Sequence, residues 1–288
     1  MSNTSNEIDR GIRFTRVNWK RILIGKWSWK RPFISIAWIY LALLFVALFY
    51  ADSLIFHPPK SPYPENRTGF LTIEKDGEPP IAAFYLPAAE GMPTLLWSHG
   101  NAENLSSVCF AMAGLNEAGY GVLAYDYPGY GESPGKPGEK ECYRAINAAY
   151  HYLIDDLKLA PEKVILAGQS VGSGPTCWLA SRENHGGVIL ISPFLSAFRV
   201  ATQIPIFPGD RFPNIRNIKE FSTPLLIIHG DEDEVIPFSH GQRLFELSPS
   251  NKKTFVPVSG AGHNDLFSRD AMLFFNALSK FSEVVLPR

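Results

Sequence analysis

The sequence predicts an α/β fold with a mostly parallel central sheet and helices on both of its faces, preceded by one transmembrane helix. Apolar runs of strand length alternate with segments of helical character, as a parallel sheet with crossover helices requires. Before them lies an uncharged, almost wholly apolar run, residues 33–50, which at about 1.5 Å per residue matches the hydrocarbon thickness of a bilayer. The roughly 230 residues that follow are a usual size for a single α/β domain.

The charges around the apolar run predict the orientation of the membrane helix. Basic residues dominate the segment before it, against only Glu7 and Asp9, whereas the segment after it begins with Asp52. The positive-inside rule then places the N-terminus in the cytoplasm and the following domain on the extracytoplasmic or lumenal side of a single-pass protein. A long basic segment and the lack of an A-x-A-like site before Asp52 favour an uncleaved signal-anchor over a cleaved signal peptide. The basic residues are Arg10, Arg13, Arg16, Lys20, Arg21, Lys26, Lys30 and Arg31.

Composition disfavours several classes of function. The formal net charge is -1 and the basic excess is confined to the N-terminal arm, so we expect no nucleic-acid partner. A basic arm beside a membrane helix instead fits attraction to anionic lipid headgroups in a bilayer. Cys109, Cys142 and Cys177 include no C-x-x-C pair, so neither a disulfide framework nor a metal site is predicted. We expect no metal and no cofactor.

The predicted elements set the positions of the motifs that follow. The strands are predicted at residues 94–98, 121–124, 164–167, 187–192, 224–228 and 254–258. The helices are predicted at residues 106–118, 142–157, 171–181, 239–247 and 265–282.

The motif Gly168-Gln169-Ser170-Val171-Gly172 predicts a nucleophilic serine. It lies between a predicted strand and a predicted helix, which is the context in which G-x-S-x-G forms a nucleophile elbow. Gly168 and Gly172 remove the Cβ atoms that would collide in so sharp a turn. Small residues also close many strand-to-helix turns without any chemistry, so the motif needs support from the rest of the chain.

A serine hydroxyl needs a base within hydrogen-bond reach and an acid that orients the base. Asp233, in a carboxylate-rich turn after a predicted strand, is the predicted acid, with Asp231 and Glu234 as alternatives. His263, in a glycine-flanked loop after the last predicted strand, is the predicted base. His229 is the alternative base, but it lies at a strand end, where we expect its ring to pack under the loop.

The loop after residues 94–98 predicts an oxyanion hole. The backbone N–H of Val171, directly after the nucleophile, and that of Asn101 are the predicted donors to the oxyanion. A side chain at Gly100 would crowd the acyl group or twist the amide away. The alternative is a simple turn with an asparagine helix cap. Asp126, at another strand end, we interpret as a structural carboxylate that accepts backbone N–H bonds in a tight Gly/Pro turn.

Together these motifs resemble the α/β-hydrolase superfamily of serine hydrolases. The matching segments are residues 99–102, 126–131 and 168–172, His229-Gly230 with Asp233, and Gly262-His263, and the order Ser, Asp, His is that of the superfamily. Residues 212–215, 229–236, 238–241 and 260–265 are similar to the branch that contains the mammalian protein depalmitoylases and their membrane-anchored relatives. The resemblance runs from about Pro62 to the C-terminus and implies cleavage of ester or thioester bonds through an acyl-Ser170 intermediate without a cofactor. The N-terminus lacks the cysteine cluster of the soluble depalmitoylases.

We therefore expect residues 1–32 to form a cytoplasmic arm, residues 33–52 the anchor, and residues 53–288 an α/β-hydrolase domain acting on an acyl ester, a lipid or an acylated protein. A palmitoyl-protein thioesterase is an alternative, although the predicted orientation works against it because protein palmitoyl groups mostly face the cytoplasm. A non-catalytic scaffold is the alternative of another class, and it predicts a lost triad or oxyanion residue.

The interval 193–222 leaves room for a small lid or none. Its apolar side chains either line an acyl groove beside Ser170 or pack a helix onto the sheet; they are Phe194, Leu195, Phe198, Val200, Ile204, Ile206 and Phe207.

Overall fold

An eight-stranded sheet forms the centre of the computed structural model, which describes residues 29–75 and 77–286. Neighbouring strands follow the order β1-β2-β4-β3-β5-β6-β7-β8. The pairs β1–β2 and β2–β4 are antiparallel, and every other pair is parallel. The strands are β1 (Phe70–Ile73), β2 (Ile81–Leu86), β3 (Thr94–Ser98), β4 (Gly121–Tyr125), β5 (Val164–Gln169), β6 (Gly187–Ile191), β7 (Leu225–Gly230) and β8 (Lys253–Val258).

Helices that connect or follow the parallel strands pack on both faces of the sheet, as the sequence predicts. The described helices are α1 (Arg31–Phe49), α2 (Ala51–Ile55), α3 (Leu105–Glu117), α4 (Glu139–His151), α5 (Ser173–Ala180), α6 (Ala197–Thr202), α7 (Asn214–Asn217), α8 (Phe238–Leu247), α9 (Leu266–Arg269) and α10 (Ala271–Val285). Side chains alternate along each strand, so Val164 and Leu166 of β5 pack with α4, α5 and α8 on one face. Ile165 and Ala167 pack with α3 and α10 on the other face.

All six predicted strands are present to within two residues of the predicted bounds, and the mostly parallel α/β-hydrolase fold is confirmed. Strands β1 and β2, which form the antiparallel edge, were not predicted. β1 is only four residues long, with two half-buried residues, one exposed and one buried, so its pattern carries little period-2 contrast. Two helix predictions also differ in detail. The helix predicted to residue 157 ends at His151 and continues as a π-turn, Tyr152–Asp156, and the last predicted helix is divided at Asp270 into α9 and α10.

The N-terminal apolar segment forms the predicted helix. Helix α1 has a mean hydropathy of 2.3 and is long and apolar enough to cross a membrane. The chain divides into two units, Met1–Phe45 and Val46–Arg288, so most of α1 belongs to the first unit and the sheet to the second. The basic arm predicted at residues 1–32 lies outside the described residues as far as residue 28. The division into arm, anchor and catalytic domain, and the orientation of the anchor, remain predictions.

The interval 193–222 carries two short helices, α6 and α7. Phe194 and Leu195 belong to the hydrophobic core, so for these two residues packing against the sheet is the correct alternative. Ile204 and Ile206 are exposed. The predicted acyl groove is therefore not built from Phe194 and Leu195, because their side chains are already occupied by core contacts.

The sheet register brings the predicted site loops together. Ser98 is paired with Gly168 in the parallel pair β3–β5, so the predicted oxyanion loop begins beside the elbow. Gly230 is paired with Val258 in the pair β7–β8, so the loops that carry Asp233 and His263 leave the sheet side by side. Ligand sites of open α/β sheets lie outside these carboxyl ends of the strands.

Candidate active site

Ser170 lies in a strained turn between β5 and α5. Its φ is +52°, in the left-handed region that residues other than glycine rarely adopt. A Cβ at Gly168 would overlap the hydroxyl of Thr176 and the carbonyl of Gly172, and one at Gly172 would overlap the carbonyl of Ser98. The predicted steric reason for both glycines therefore agrees with the structure, and the turn has the geometry of a nucleophile elbow.

Ser170, His263 and Asp233 form a continuous hydrogen-bonded line. Ser170 Oγ is 3.0 Å from His263 Nε2, and His263 Nδ1 is 2.8 Å from Asp233 Oδ2. Asp233 Oδ1 accepts hydrogen bonds from the backbone N–H groups of Val235 at 2.9 Å and Ile236 at 2.7 Å. With the Nδ1 proton donated to Asp233, Nε2 is left as an acceptor for the serine hydroxyl. This is the arrangement that activates a serine nucleophile.

The other carboxylates of the two loops do not contact the His263 ring. Asp231 Oδ1 accepts from the Gly260 amide at 2.6 Å, and Asp265 Oδ1 accepts from the Gly262 amide at 2.6 Å. Glu234 Oε2 accepts from the backbone N–H of His263 at 3.2 Å. These residues hold the histidine loop, and the structure brings Asp233, rather than Asp231 or Glu234, to the imidazole.

His229 contacts the acid from the side opposite His263. Its ring is fully buried, with Nε2 3.0 Å from the Ile236 carbonyl and 3.3 Å from Asp233 Oδ2. A Cβ at Gly241 would lie 2.5 Å from His229 Nδ1, so a glycine is needed there to admit the ring. The ring packs under the loop, as expected from the sequence, but its contact with Asp233 was not predicted. A histidine four residues before the acid was the available indication.

The hydrogen bonds at Asp233 keep its carboxylate ionised. Burial raises the pKa of Asp233, but the bonds from His229, from His263 and from the Ile236 amide outweigh it and hold the pKa well below its ordinary value. Asp233 is therefore negatively charged throughout the neutral range, as an orienting acid requires.

The two predicted oxyanion donors lie on adjoining loops. Val171 is in the helical turn Ser170–Gly172, where the first N–H groups have no partner within the helix. Within the described part of the chain, the Asn101 amide makes no hydrogen bond, whereas the neighbouring Gly100 amide donates to Glu103 Oε2 at 2.6 Å. A Cβ at Gly100 would lie 2.8 Å from that same carboxylate oxygen, so this carboxylate is the neighbour that requires a glycine there. The asparagine that caps α3 is Asn104, not Asn101.

A buried ion pair supports the predicted oxyanion loop, which follows β3. Nε2 of His99 lies 3.1 Å from Oδ1 of Asp126, and neither side chain is exposed. Burial lowers the pKa of His99, but Asp126 and the Gly100 carbonyl raise it above its ordinary value. Asp126 Oδ1 also accepts the backbone N–H of Leu105 at 3.0 Å, and Tyr63 donates its hydroxyl to Oδ2. Asp126 is thus structural, as predicted, but the backbone amide that it accepts belongs to α3 rather than to its own turn.

An apolar cavity of about 330 Å³ borders the site, between α3 and the pair α9 and α10. It touches the oxyanion loop at Glu103, the elbow at Gln169 and the helix after the His263 loop at Phe267. Its other lining residues are Trp97, Ser107, Val108, Ala111, Met112, Gly114, Leu115, Ala271, Phe274 and Phe275. Its volume lies at the lower end of the range of small-molecule pockets, roughly 300–1,000 Å³. Across residues 29–75 and 77–286, no group of three or more His, Cys, Asp or Glu residues is arranged to hold a metal ion.

Comparison with known proteins identifies the family. Alpha/beta hydrolase domain-containing protein 17B of Xenopus tropicalis is 42% identical over 205 residues, which cover 68% of this chain and 69% of that protein. The chain belongs to the alpha/beta hydrolase domain-containing protein 17 family. Protein 17C of Xenopus laevis is 46% identical over 181 residues, and the human protein 17C is 45% identical over 181 residues. Those matches cover 60% of this chain and only 56% and 53% of the two relatives, so the chain spans little more than half the length of protein 17C.

Other comparisons concern the fold and a broader hydrolase family. Residues 91–208 match the family described as Hydrolase_4, serine aminopeptidase, S33. An esterase of Pyrococcus furiosus superposes with a TM-score of 0.63 at 17% identity, covering 78% of this chain and 98% of that chain. A monoacylglycerol lipase of Paleococcus ferrophilus superposes with a TM-score of 0.55 at 21% identity, covering 71% and 98%. At these identities the two structures show the fold, and the sequence matches to the protein 17 family confirm the resemblance drawn from the motifs.

Proposed function

We propose that this member of the protein 17 family is a membrane-anchored serine hydrolase that cleaves ester or thioester bonds of acyl substrates. The observation that carries the proposal is the line of hydrogen bonds from Ser170 through His263 to Asp233. A non-catalytic scaffold has no need to keep this line, the strained elbow and an unengaged Asn101 amide together.

The proposed reaction proceeds in two steps. Ser170 Oγ attacks the acyl carbonyl while His263 Nε2 takes the hydroxyl proton, and Asp233 stabilises the imidazolium that results. The amides of Asn101 and Val171 donate to the oxyanion, and collapse of the intermediate expels an alcohol or thiol, which takes the proton from His263. His263 then removes a proton from water, which attacks the acyl-serine. As this second intermediate collapses, the imidazolium returns the proton to Ser170 Oγ, and the carboxylic acid is released.

The cavity between α3 and α10 supports an acyl chain as the part of the substrate next to the carbonyl. It is lined mainly by apolar side chains and touches the elbow and the oxyanion loop. Helix α1 supports a substrate that resides in a membrane, because a chain that is long and apolar enough to cross a bilayer keeps the enzyme beside lipid. A lipid or other acyl ester is therefore the favoured substrate.

An acylated protein is the second candidate substrate. Membership of the protein 17 family favours it, together with the resemblance of the motifs to those of the protein depalmitoylases. The predicted extracytoplasmic orientation opposes it, because protein palmitoyl groups are mostly on the cytoplasmic side. The orientation of α1 therefore bears directly on the choice between the two substrates.

The first test uses the full-length protein in detergent, with Ser170→Ala as the inactive variant and Ser181→Ala as the matched control at the far end of α5. Each protein is treated with a fluorophosphonate probe and then assayed on p-nitrophenyl esters from acetyl to palmitoyl, on a palmitoyl thioester and on an aminoacyl amide. We expect labelling and ester turnover in the wild type and in Ser181→Ala, and neither in Ser170→Ala. A folded wild-type protein that neither labels nor turns over any substrate would remove the basis of the proposal.

A further inference from the structure

We propose that the chain directly after α2, residues 55–57, acts with Tyr130 to position the oxyanion amide of Asn101. The inference rests on the proposed function, since it assigns a role within the same site. It gives the segment directly after α2 a positioning role in the site, exerted through the side chain of Asn101.

The side chain of Asn101 is held at both of its polar atoms. Asn101 Nδ2 donates to the Ile55 carbonyl at 2.5 Å. Asn101 Oδ1 accepts from the backbone N–H of His57 at 2.9 Å and from the Tyr130 hydroxyl at 2.7 Å. Nδ2 also lies 3.2 Å from His57 Nδ1, so both of its N–H groups have a partner. The side chain therefore does not serve as the oxyanion donor, and only the backbone N–H of Asn101 is left for that role.

The partners of Asn101 are themselves fixed in the core. Phe56, between the two backbone groups that Asn101 contacts, is only 4% exposed. Its ring packs edge-to-face on Tyr130, with centroids 6.4 Å apart, and on Phe212, with centroids 6.1 Å apart. Burial raises the pKa of the fully buried Tyr130, so its hydroxyl keeps the proton that it donates to Asn101. The contacts of residues 55–57 and Tyr130 with the Asn101 side chain form a clamp, and this clamp rests on the packed side chain of Phe56.

The loop is held from its other side as well. The Gly100 amide donates to Glu103 Oε2, and the Tyr127 hydroxyl donates to the His99 carbonyl at 2.7 Å. The peptide that carries the Asn101 N–H is thus fixed between Glu103 on one side and residues 55–57 on the other. An oxyanion donor acts only when it is aimed at the position that the negative oxygen will occupy, so loss of the clamp lowers the rate of the chemical step.

Tyr130→Phe and Asn101→Ala test this role in the full-length protein. Tyr130→Phe keeps the ring packing and removes only the hydroxyl that contacts Asn101 and, at 3.2 Å, the His57 amide. Tyr150→Phe is the matched control, because Tyr150 is also buried and donates its hydroxyl to a backbone carbonyl, that of Asn184, away from the site. Loss of one oxyanion donor lowers kcat by about 10²–10³. We expect a fall of about tenfold for Tyr130→Phe and a larger one for Asn101→Ala, with KM unchanged in both.

The double variant separates a positioning role from general stabilisation. Because both residues act on one backbone amide, Tyr130→Phe combined with Asn101→Ala should lower kcat no further than Asn101→Ala alone. The melting temperature of each variant, measured beside that of Tyr150→Phe, shows whether it is folded, and Tyr130→Phe carries the test if Asn101→Ala does not fold.

The outcomes are distinct for the two proposals. If the wild type is active and Tyr130→Phe keeps kcat within twofold of Tyr150→Phe, the clamp has no catalytic role. If kcat and KM change together in proportion to lost stability, the contact is structural only and the inference is overturned. If the folded wild type itself is inactive, the proposed function fails, and the clamp fails with it.

Discussion

His229 provides a test of how the acid of the proposed triad is held. Asp233 Oδ2 accepts a hydrogen bond from His263 Nδ1 at 2.8 Å and lies 3.3 Å from His229 Nε2. The same His229 Nε2 is 3.0 Å from the Ile236 carbonyl. His229→Leu removes the shared donor but leaves the two backbone amides and His263 on Asp233. We therefore expect the line from Ser170 to Asp233 to persist with a less well fixed carboxylate.

The magnitude follows from this geometry. A hydrogen bond to a charged group contributes about 1.5–3 kcal/mol. The Nε2–H of His229 is shared between Asp233 and the Ile236 carbonyl, so we take about 1 kcal/mol as the contribution of its bond to Asp233. That corresponds to a fall in kcat of roughly fivefold. Loss of the donor also leaves the buried Ile236 carbonyl unsatisfied, which costs about 1–3 kcal/mol of folding stability. His229→Gln, which places an N–H donor near the position of Nε2, should recover most of kcat.

The assay is kcat on a short p-nitrophenyl ester, together with urea unfolding of the same proteins. His185→Leu is the matched control, because His185 is also buried, and it bonds to the Glu183 carbonyl and to Thr223, away from the triad. We expect His185→Leu to lose stability and keep kcat. If His229→Leu also keeps kcat within the error of the wild type, His229 is a packing residue and the assigned coupling to Asp233 is wrong.

The pH dependence gives a second measurement on the same variant. The pKa of Asp233 is depressed in the folded protein, so its contribution to stability is present above the ordinary aspartate pKa, about 3.9, and is lost as the pH falls below it. His229→Leu removes part of that contribution. Because the bonds from His263 and the Ile236 amide still hold the pKa of Asp233 below its ordinary value in His229→Leu, the difference in melting temperature between wild type and variant should stay constant above about pH 4 and shrink only at lower pH.

Three further predictions follow from other contacts. Gly172→Ala would place a Cβ on the Ser98 carbonyl, so it should lower the free energy of unfolding in urea by about 1–3 kcal/mol and abolish fluorophosphonate labelling. Gly114→Ala, where a Cβ meets open space in α3, should be neutral or stabilising, and equal stability of the two variants would contradict the reasoning. Ala111→Trp, which enters the cavity, should lower kcat/KM for a palmitoyl ester about tenfold and leave kcat/KM for an acetyl ester unchanged, whereas Phe110→Trp beside it should change neither value. A loss of activity on both esters in Ala111→Trp would speak against an acyl pocket. Asp126→Asn removes the partner that raises the pKa of His99; the stability that this pair contributes is present below about pH 6.5 and is lost as the pH rises through the raised pKa. The fall in melting temperature caused by Asp126→Asn should therefore be larger at pH 6 than at pH 8.5. An equal fall at both pH values would show that the pair is not charged.

The sequence predicted the parts of the site that depend on local chemistry. Gly168 and Gly172 flank Ser170 because a Cβ at either would meet backbone or side-chain atoms within a few residues or on the neighbouring strand, and such a motif is visible in one dimension. The parallel strands were predictable for a similar reason, since strands buried on both faces are continuous apolar runs. The sequence favoured Asp233 over Asp231 and Glu234 as the acid, but only the structure shows which carboxylate contacts the imidazole.

What the sequence did not show are contacts between distant segments. Glu103 with the Gly100 amide, His229 with Asp233, and Asn101 with residues 55–57 each depend on the direction in which a loop leaves the sheet. Strand β1 was missed because it is only four residues long and its burial does not alternate. Strand β2 is mostly buried, so its apolar run, Ile81–Leu86, was an available indication that was not used. The apolar residues of 193–222 were ambiguous for a different reason, because a core contact and a groove lining need the same residue types.

The location of these missed contacts has a physical explanation. The register pairs Ser98 with Gly168 and Gly230 with Val258, so the parallel sheet alone brings the backbone of the elbow, the oxyanion loop and the histidine loop to one edge. It does not fix the direction of an amide or a carboxylate within those loops. That direction is set by Glu103, His229 and the clamp at Asn101, none of which we expect to contact the reacting atoms. A site of this kind should lose rate before it loses its fold when one of these supports is removed, which is why kcat and stability have to be measured on the same variants.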